Sequence, residues 1–167
     1  MSSKQAGRPG LFSFKEFFEL GYWKIVKLLS KNLTKNSHYK YFYTDNFSIS
    51  EEYYRDKIIL DIGCGPRGSL EWADMAKERI GMDPLADQYL KMGAEEHKMT
   101  YVRAYVEDIP FPDHYFDTIS SFNSLDHVEN MELACREIRR VLKPGGLFLL
   151  LVDIHTKPTL TEPQTMN

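Results

Sequence analysis

Apolar strand-like runs alternating with helical stretches after Lys57 predict an α/β fold on a doubly wound, mainly parallel sheet. Three observations carry that expectation. Strand-like runs recur at Ile58–Ile62, Arg79–Met82, Thr100–Ala104, Phe116–Phe122 and Leu147–Val152. Helix-compatible stretches lie between them at Ser69–Lys77, Ala86–Gly93 and Met131–Leu142. The first strand ends in an acidic residue and then closely spaced glycines, Asp61-Ile62-Gly63-Cys64-Gly65-Pro66-Arg67-Gly68. A buried strand that breaks into a glycine loop presents backbone N–H groups to a small ligand's polar parts.

Each element has its own justification. Phe14 to Leu29 is helical in period: Phe14, Phe17, Phe18, Tyr22, Ile25, Val26 and Leu29 form one stripe, with Lys15, Glu19, Lys24 and Lys27 elsewhere. Ser13 and Glu16 have capping-box spacing, and Gly21 weakens the helix mildly. An aromatic segment without clear period, Lys35–Tyr54, follows. Ile58–Ile62 is short, apolar and β-branched, as a buried strand requires. Lys143-Pro144-Gly145-Gly146 reads as a helix stop and turn before the fifth strand.

The chain of 167 residues suits one domain with a sizeable core. With 43% hydrophobic and 27% charged residues and no apolar run of spanning length, the composition excludes a membrane span and a disordered chain. Residues 1–57 hold 10 Lys/Arg against 6 Asp/Glu, whereas residues 58–167 hold 11 against 18. That break supports an N-terminal helical cap or lid (1–56), a ligand-binding core (57–153) and a short tail (154–167). Cys64 and Cys135 make no disulfide framework, and Met1–Gly10 lacks a secretory core, so a cytoplasmic location is expected.

The glycines alone fit two ligands. Gly63, Gly65 and Gly68 satisfy Gly-x-Gly-x-x-Gly, and Asp83 ends the next strand, where a carboxylate can accept from both ribose hydroxyls. A nicotinamide site would look the same. Asp61 argues otherwise, because a carboxylate beside the loop repels a pyrophosphate and attracts a cationic amine. The loop Glu107-Asp108-Ile109-Pro110-Phe111-Pro112 is acidic and apolar, suited to flanking an adenine.

The ordered motifs resemble a class I S-adenosylmethionine-dependent methyltransferase of the small-molecule, "methyltransferase type 11"-like kind. Leu60-Asp61-Ile62-Gly63-Cys64-Gly65-Pro66 is similar to the family's first motif, and Gly81-Met82-Asp83-Pro84 to its ribose-binding strand end. Ile109-Pro110-Phe111 with Phe116-Asp117 resembles the "LPF…FD" block. Ser124-Leu125-Asp126-His127-Val128 and Arg140-Val141-Leu142-Lys143-Pro144-Gly145-Gly146 resemble the segments around the fourth and fifth strands. The resemblance covers roughly residues 57–153 and implies a Rossmann-like sheet of order 3-2-1-4-5. It implies S-adenosylmethionine as cofactor and S-adenosylhomocysteine as product. Asp61, Gly63, Cys64 and Gly65 would hold the methionine part, Asp83 the ribose, and Pro84, Leu85, Val106 and Glu107 the adenine. Asn123 would line the methionine end. Tyr105 stands where many relatives carry an acidic residue, so the adenine amine contact passes to Glu107 or is lost.

Methyl transfer from a sulfonium is an in-line displacement that needs mainly alignment and exclusion of water. A base is required when the acceptor is a weakly acidic hydroxyl or a protonated amine. His127, after the fourth strand, is the candidate catalytic base, although a histidine that packs on the loop and bonds the backbone explains it more readily. Asp126 and Glu129 can orient a cationic acceptor or cap the following helix, and His155 is a second base candidate. Tyr39, Tyr41, Phe42, Tyr43 and Phe47 suit either an acceptor lid or ordinary core. No metal spacing is evident, and Cys64 has no partner base.

The resemblance implies seven strands, and the sequence has room for five. The fifth would then be an apolar edge, explained by truncation, by cover from a homodimer partner or the N-terminal segment, or by a reduced fold. The expected function is methyl transfer to a small-molecule acceptor, with no nucleic-acid partner. The alternatives are a cofactor-binding module without turnover and, behind it, a nicotinamide oxidoreductase.

Overall fold

Strand β1, Ile58–Ile62, is buried at every residue and forms the centre of the sheet. The structure is a computed structural model that describes residues 14–30, 36 and 38–152. Four more strands complete the sheet: β2 (Glu78–Met82), β3 (Thr100–Val102), β4 (Phe116–Phe122) and β5 (Leu142–Leu151). Every pairing is parallel and the order is β3-β2-β1-β4-β5, as expected. The order reverses between β1 and its neighbours β2 and β4, so the C-terminal ends of β1, β2 and β4 flank the switch point.

Alternation along β1 divides the core into two layers. Ile58, Leu60 and Ile62 face a cluster with Ile80, Met82, Phe116, Ile119 and the helix α4 (Met131–Val141) residues Ala134, Ile138 and Val141. Ile59 faces the other side, with Tyr43, Tyr54, Leu70, Ala73 and Met99. The Asn130 side chain caps α4 by accepting from Leu133 N at 3.0 Å.

The aromatic segment is mainly core. Tyr43, at the end of the short helix α2 (Tyr39–Tyr43), and Tyr54 are fully buried. Tyr54 Oη donates to the Tyr43 carbonyl, and both rings lie against Trp72. Tyr39 and Phe42 are half-buried against the same cluster, Phe47 stacks on Phe122, and Tyr41 is exposed.

Three local expectations change. Residues 69–77 form successive turns rather than a helix, because Ser69, Leu70 and Ala73 are drawn into the core in a stretch broken by short turn hydrogen bonds. Strand β5 begins directly at Leu142. Lys143-Pro144-Gly145-Gly146 bulge out of its pairing, since Phe116 pairs with Leu142 and Thr118 with Leu147. The first helix, α1 (Phe14–Ser30), forms, but its apolar stripe faces outward: Phe17, Phe18, Tyr22, Ile25 and Leu29 are exposed. Leu20 and Trp23 on the opposite side dock on helix α3 (Ala86–Lys91) through Leu85 and Tyr89. Ser13 and His155 lie outside the described residues, as does the Glu16 side chain that the capping box would use.

Two polar clips fix the frame. Asp117 accepts from Ile58 N at 2.9 Å and from Lys143 Nζ at 2.7 Å, joining β1, β4 and β5. Arg140 donates to the carbonyls of Ile109 and Phe111, each at 2.8 Å, while Glu137 accepts from Ile109 N. These bonds hold the loop before β4 against α4. Among the described residues, β5 pairs on one side only, as the apolar-edge expectation requires.

Candidate functional site

The glycine loop lies at the C-terminal end of β1, and its backbone explains its composition. Gly63 and Gly65 have φ of 72° and 59°, in the left-handed region that favours glycine. A Cβ on Gly63 would also stand 2.3 Å from Ser124 Cβ. Ser124 is held there by donating to the Ile62 carbonyl at 2.9 Å. Gly68 N donates to Tyr101 Oη at 3.1 Å, which ties the far end of the loop to β3.

Asp61 and Asp83 are both buried beside this loop. Asp83 Oδ2 accepts from Gly65 N at 3.2 Å, and its Oδ1 accepts from Leu85 N at 2.9 Å. Burial, reinforced by the nearby Glu19 carboxylate, pushes the Asp83 carboxyl up to about 7, against the pull of its two N–H donors. Asp61 accepts from Ser69 Oγ and, at 2.8 Å, from Ser120 Oγ. Burial raises its carboxyl as well, with those hydroxyls opposing the rise. Cys64 lies between the two; burial and both carboxylates push its thiol well up, so it is no nucleophile.

Helix α1 closes over this end of the sheet. Glu19 Oε1 accepts from Tyr89 Oη at 2.9 Å and from Trp23 Nε1 at 3.4 Å. A Cβ built on Gly65 would lie 3.5 Å from Trp23 Cζ2. Arg67, in the loop itself, is half-buried, and its Nε is enclosed without a hydrogen-bond partner.

The expected residues converge unevenly. Asp61, Gly63, Cys64, Gly65 and Asp83 form one cluster, Leu85 is buried next to it under Leu20 and Trp23, and Pro84 is half-buried. Val106 is buried in the core layer with Ile62 and Met82. The Glu107 carboxylate accepts from Glu129 N at 3.0 Å and Asn130 N at 3.3 Å, so it holds the start of α4. Asn123 follows β4 with φ of 51°, and its N–H donates to the Leu151 carbonyl at 2.8 Å. His127 ends a short turn after β4, and its side chain lies outside the described residues. Among the described residues no His/Cys/Asp/Glu cluster could hold a metal, and no helix is long and apolar enough to cross a membrane.

Sequence reasoning missed Glu19, Trp23, Tyr89 and Arg67. Glu19 and Trp23 sit off the apolar stripe, so periodicity turned them away from the core. The remaining signal was Arg67, a long cation inside a glycine loop. A separate groove beside β2 and β3, lined by Lys77, Arg79, Lys98, Thr100, Val102 and Phe111 among others, includes no residue of the glycine loop.

Comparison with known proteins agrees with this geometry. Residues 60–150 match the family described as "Methyltransferase domain". The chain is 42% identical over 117 residues to the ubiquinone/menaquinone biosynthesis C-methyltransferase UbiE of Proteus mirabilis, a match covering 64% of this chain and 45% of that protein. The chain therefore spans less than half the length of that relative. A solved S-adenosylmethionine-dependent methyltransferase from Mesorhizobium loti superposes with a TM-score of 0.51 at 26% identity, over 59% of this chain and 53% of the other. A protein from Methanococcus maripaludis reaches 0.59 at 24% identity over 82% and 65%, a likeness of fold.

Proposed function

The chain belongs to the methyltransferase-domain family, and on that premise we propose that it binds S-adenosylmethionine at the glycine loop and directs methyl transfer to a small-molecule acceptor. One observation carries the reading: the loop is ringed by the carboxylates of Asp61, Asp83 and Glu19, and no helix N-terminus follows it. A pyrophosphate would meet three carboxyl groups without the oriented N–H groups that normally offset its charge. A ligand with a cationic centre and two ribose hydroxyls suits the same surroundings.

The residues present fit the group. Asp83 holds its two N–H donors through different oxygens and keeps acceptor capacity for ribose hydroxyls. The enclosed Arg67 Nε lacks a partner, which suits the carboxylate of an amino-acid moiety, while Asp61 supplies charge opposite its ammonium. Gly63 and Gly65 keep the loop surface bare, and Cys64 between them adds only a small buried side chain. Leu85 and Pro84 would bound the adenine, with Val106 behind it and Asn123 toward the acceptor. Glu107, engaged with the start of α4, would act on the adenine side through the loop it orders.

When bound, the cofactor supplies a methyl group already activated on a sulfonium. The chain's part is to align and to exclude water. Trp23 covers the loop at Gly65, and Leu20 packs beside it on the cluster of Leu85 and Tyr89. His127, whose backbone ends the Leu125–His127 turn after β4, is the candidate group to receive the proton that the acceptor loses. The relative from Proteus mirabilis is named for C-methylation in ubiquinone/menaquinone biosynthesis. We extend that reaction class to this chain: a new carbon–carbon bond on a quinone precursor, a broken sulfur–carbon bond, and one proton released from the acceptor. The test is incubation with labelled S-adenosylmethionine and a panel of phenolic and quinol acceptors. Label in a carbon-bound methyl supports the reading; turnover only on oxygen or nitrogen acceptors refutes the carbon assignment.

A further inference from the structure

Helix α1 carries two opposed apolar surfaces, and among the described residues only one packs on the core. Leu20 and Trp23 pack inward on Leu85, Tyr89 and Met92. On the other side Phe17 is 68% exposed, Tyr22 60%, Ile25 59%, and Leu28 and Leu29 each 79%. At 3.6 residues per turn these five side chains fill one continuous arc about 140° wide. An exposed apolar face of this extent on a helix is an interaction surface. The question is what it meets.

Charge decides between occupants. The first 40 residues of the sequence hold eight Lys/Arg (Lys15, Lys24 and Lys27 among them) against Glu16 and Glu19 alone, while the rest of the chain is net acidic. Glu19 is turned toward Tyr89 and Trp23. Lys24 is exposed at the rim of the arc beside Phe17, and Lys27, also exposed, lies on the Leu20 and Trp23 side of the helix. A second copy docked face to face would bring two such basic segments together. Nucleic acid would leave the aromatic and aliphatic arc unmatched. An anionic lipid surface satisfies both halves, taking the apolar arc into the headgroup–acyl boundary and Lys24 at its rim, within this basic segment, against the headgroups.

We propose that the outer face of α1 docks the protein on anionic membrane surfaces. In that pose the inner face, still on Leu85 and Tyr89, holds the glycine-loop end of the sheet next to the bilayer. The proposal does not depend on the identity of the methyl donor.

The test is flotation of the full chain with phosphatidylcholine vesicles, with and without phosphatidylglycerol. Binding to the anionic vesicles, weaker on zwitterionic ones and weakened by salt, is the expected result. The doubly substituted Ile25→Asp/Leu28→Asp should lose roughly tenfold or more of the partitioning. Both positions are exposed, so its thermal unfolding should match the parent, and an Ile25→Leu control should float like the parent. Absence of the parent from anionic vesicles would overturn the proposal. So would a dimer in sedimentation velocity that the Asp pair abolishes while vesicle binding is unchanged, since that assigns the face to a second copy.

Discussion

The Asp83 carboxylate accepts the backbone N–H of Gly65 at 3.2 Å, which joins the end of β2 to the glycine loop of β1. The same carboxylate accepts from Leu85 N at the start of α3. One buried acid therefore organises the two backbones that would bracket a ribose. It does so at a carboxyl raised to about 7 by burial and by Glu19.

That raised value fixes the sign of a pH dependence. Between about 4 and about 7 the folded protein holds a proton that the unfolded chain releases, so ligand-free stability falls as pH rises through this window. Ribose hydroxyls donate best to the ionised acid, so the affinity for S-adenosylhomocysteine should rise with pH up to about 7 and then level. Calorimetry across this range checks it. Asp83→Asn should flatten the profile, and Asp83→Ala should weaken binding by about 1–3 kcal/mol. A parent affinity independent of pH would contradict this account of the acid.

Glu19 offers a separate handle. Replacing it by Gln removes one of the negative charges that raise the Asp83 carboxyl while keeping an acceptor for Tyr89. Glu19→Gln should move the midpoint of the affinity profile to lower pH. Carbon NMR of the Asp83 carboxyl should titrate at lower pH in parallel. An unmoved midpoint would mean that α1 does not bring its carboxylate to the site in solution.

Much of this frame was legible before the structure. β1 declared itself by an apolar run ending in Asp61 and glycines, and α4 as a helix-compatible stretch, although its cap is Asn130 and not Asp126 or Glu129. The parallel order follows from strands alternating with helices. What periodicity could not show was which side of α1 turns inward. Its longest apolar stripe points outward, and the helix docks through Leu20, Trp23 and the polar Glu19 instead. The missing helix at 69–77 had a similar cause. Its residues are good helix formers locally, yet Ser69 is claimed by Asp61 and Leu70 and Ala73 by the core. Tertiary burial outweighs a propensity difference of a few tenths of a kcal/mol per residue.

Two glycines with positive φ should respond differently to alanine. Gly63→Ala meets Ser124 Cβ at 2.3 Å as well as an unfavourable φ of 72°. Gly93 has φ of 105°, but nothing lies within 4 Å of an added Cβ. Gly93→Ala should lose about 1–2 kcal/mol from conformation alone. Gly63→Ala should lose about 3 kcal/mol or more, because packing is added to strain. Urea unfolding of the pair checks the difference, and equal losses would mean that Ser124 yields.

Arg140 should be the main fastener of the loop before β4. It donates to the Ile109 and Phe111 carbonyls and pairs with Glu137 and Asp113. Arg140→Ala leaves two carbonyls short of a donor and should reduce stability by about 2–3 kcal/mol. Arg140→Lys should recover only part, since a single ammonium cannot reproduce the planar fork. Hydrogen exchange of the Ile109 and Phe111 amides should quicken in both.

The central claim is that this acidic glycine loop takes S-adenosylmethionine rather than a dinucleotide. Calorimetric titration of the full chain with S-adenosylhomocysteine and, separately, with NAD tests it most directly. Saturable binding of S-adenosylhomocysteine, weakened by Asp83→Ala, with no heat from NAD, is the predicted result. Saturable NAD binding with no response to S-adenosylhomocysteine would contradict it.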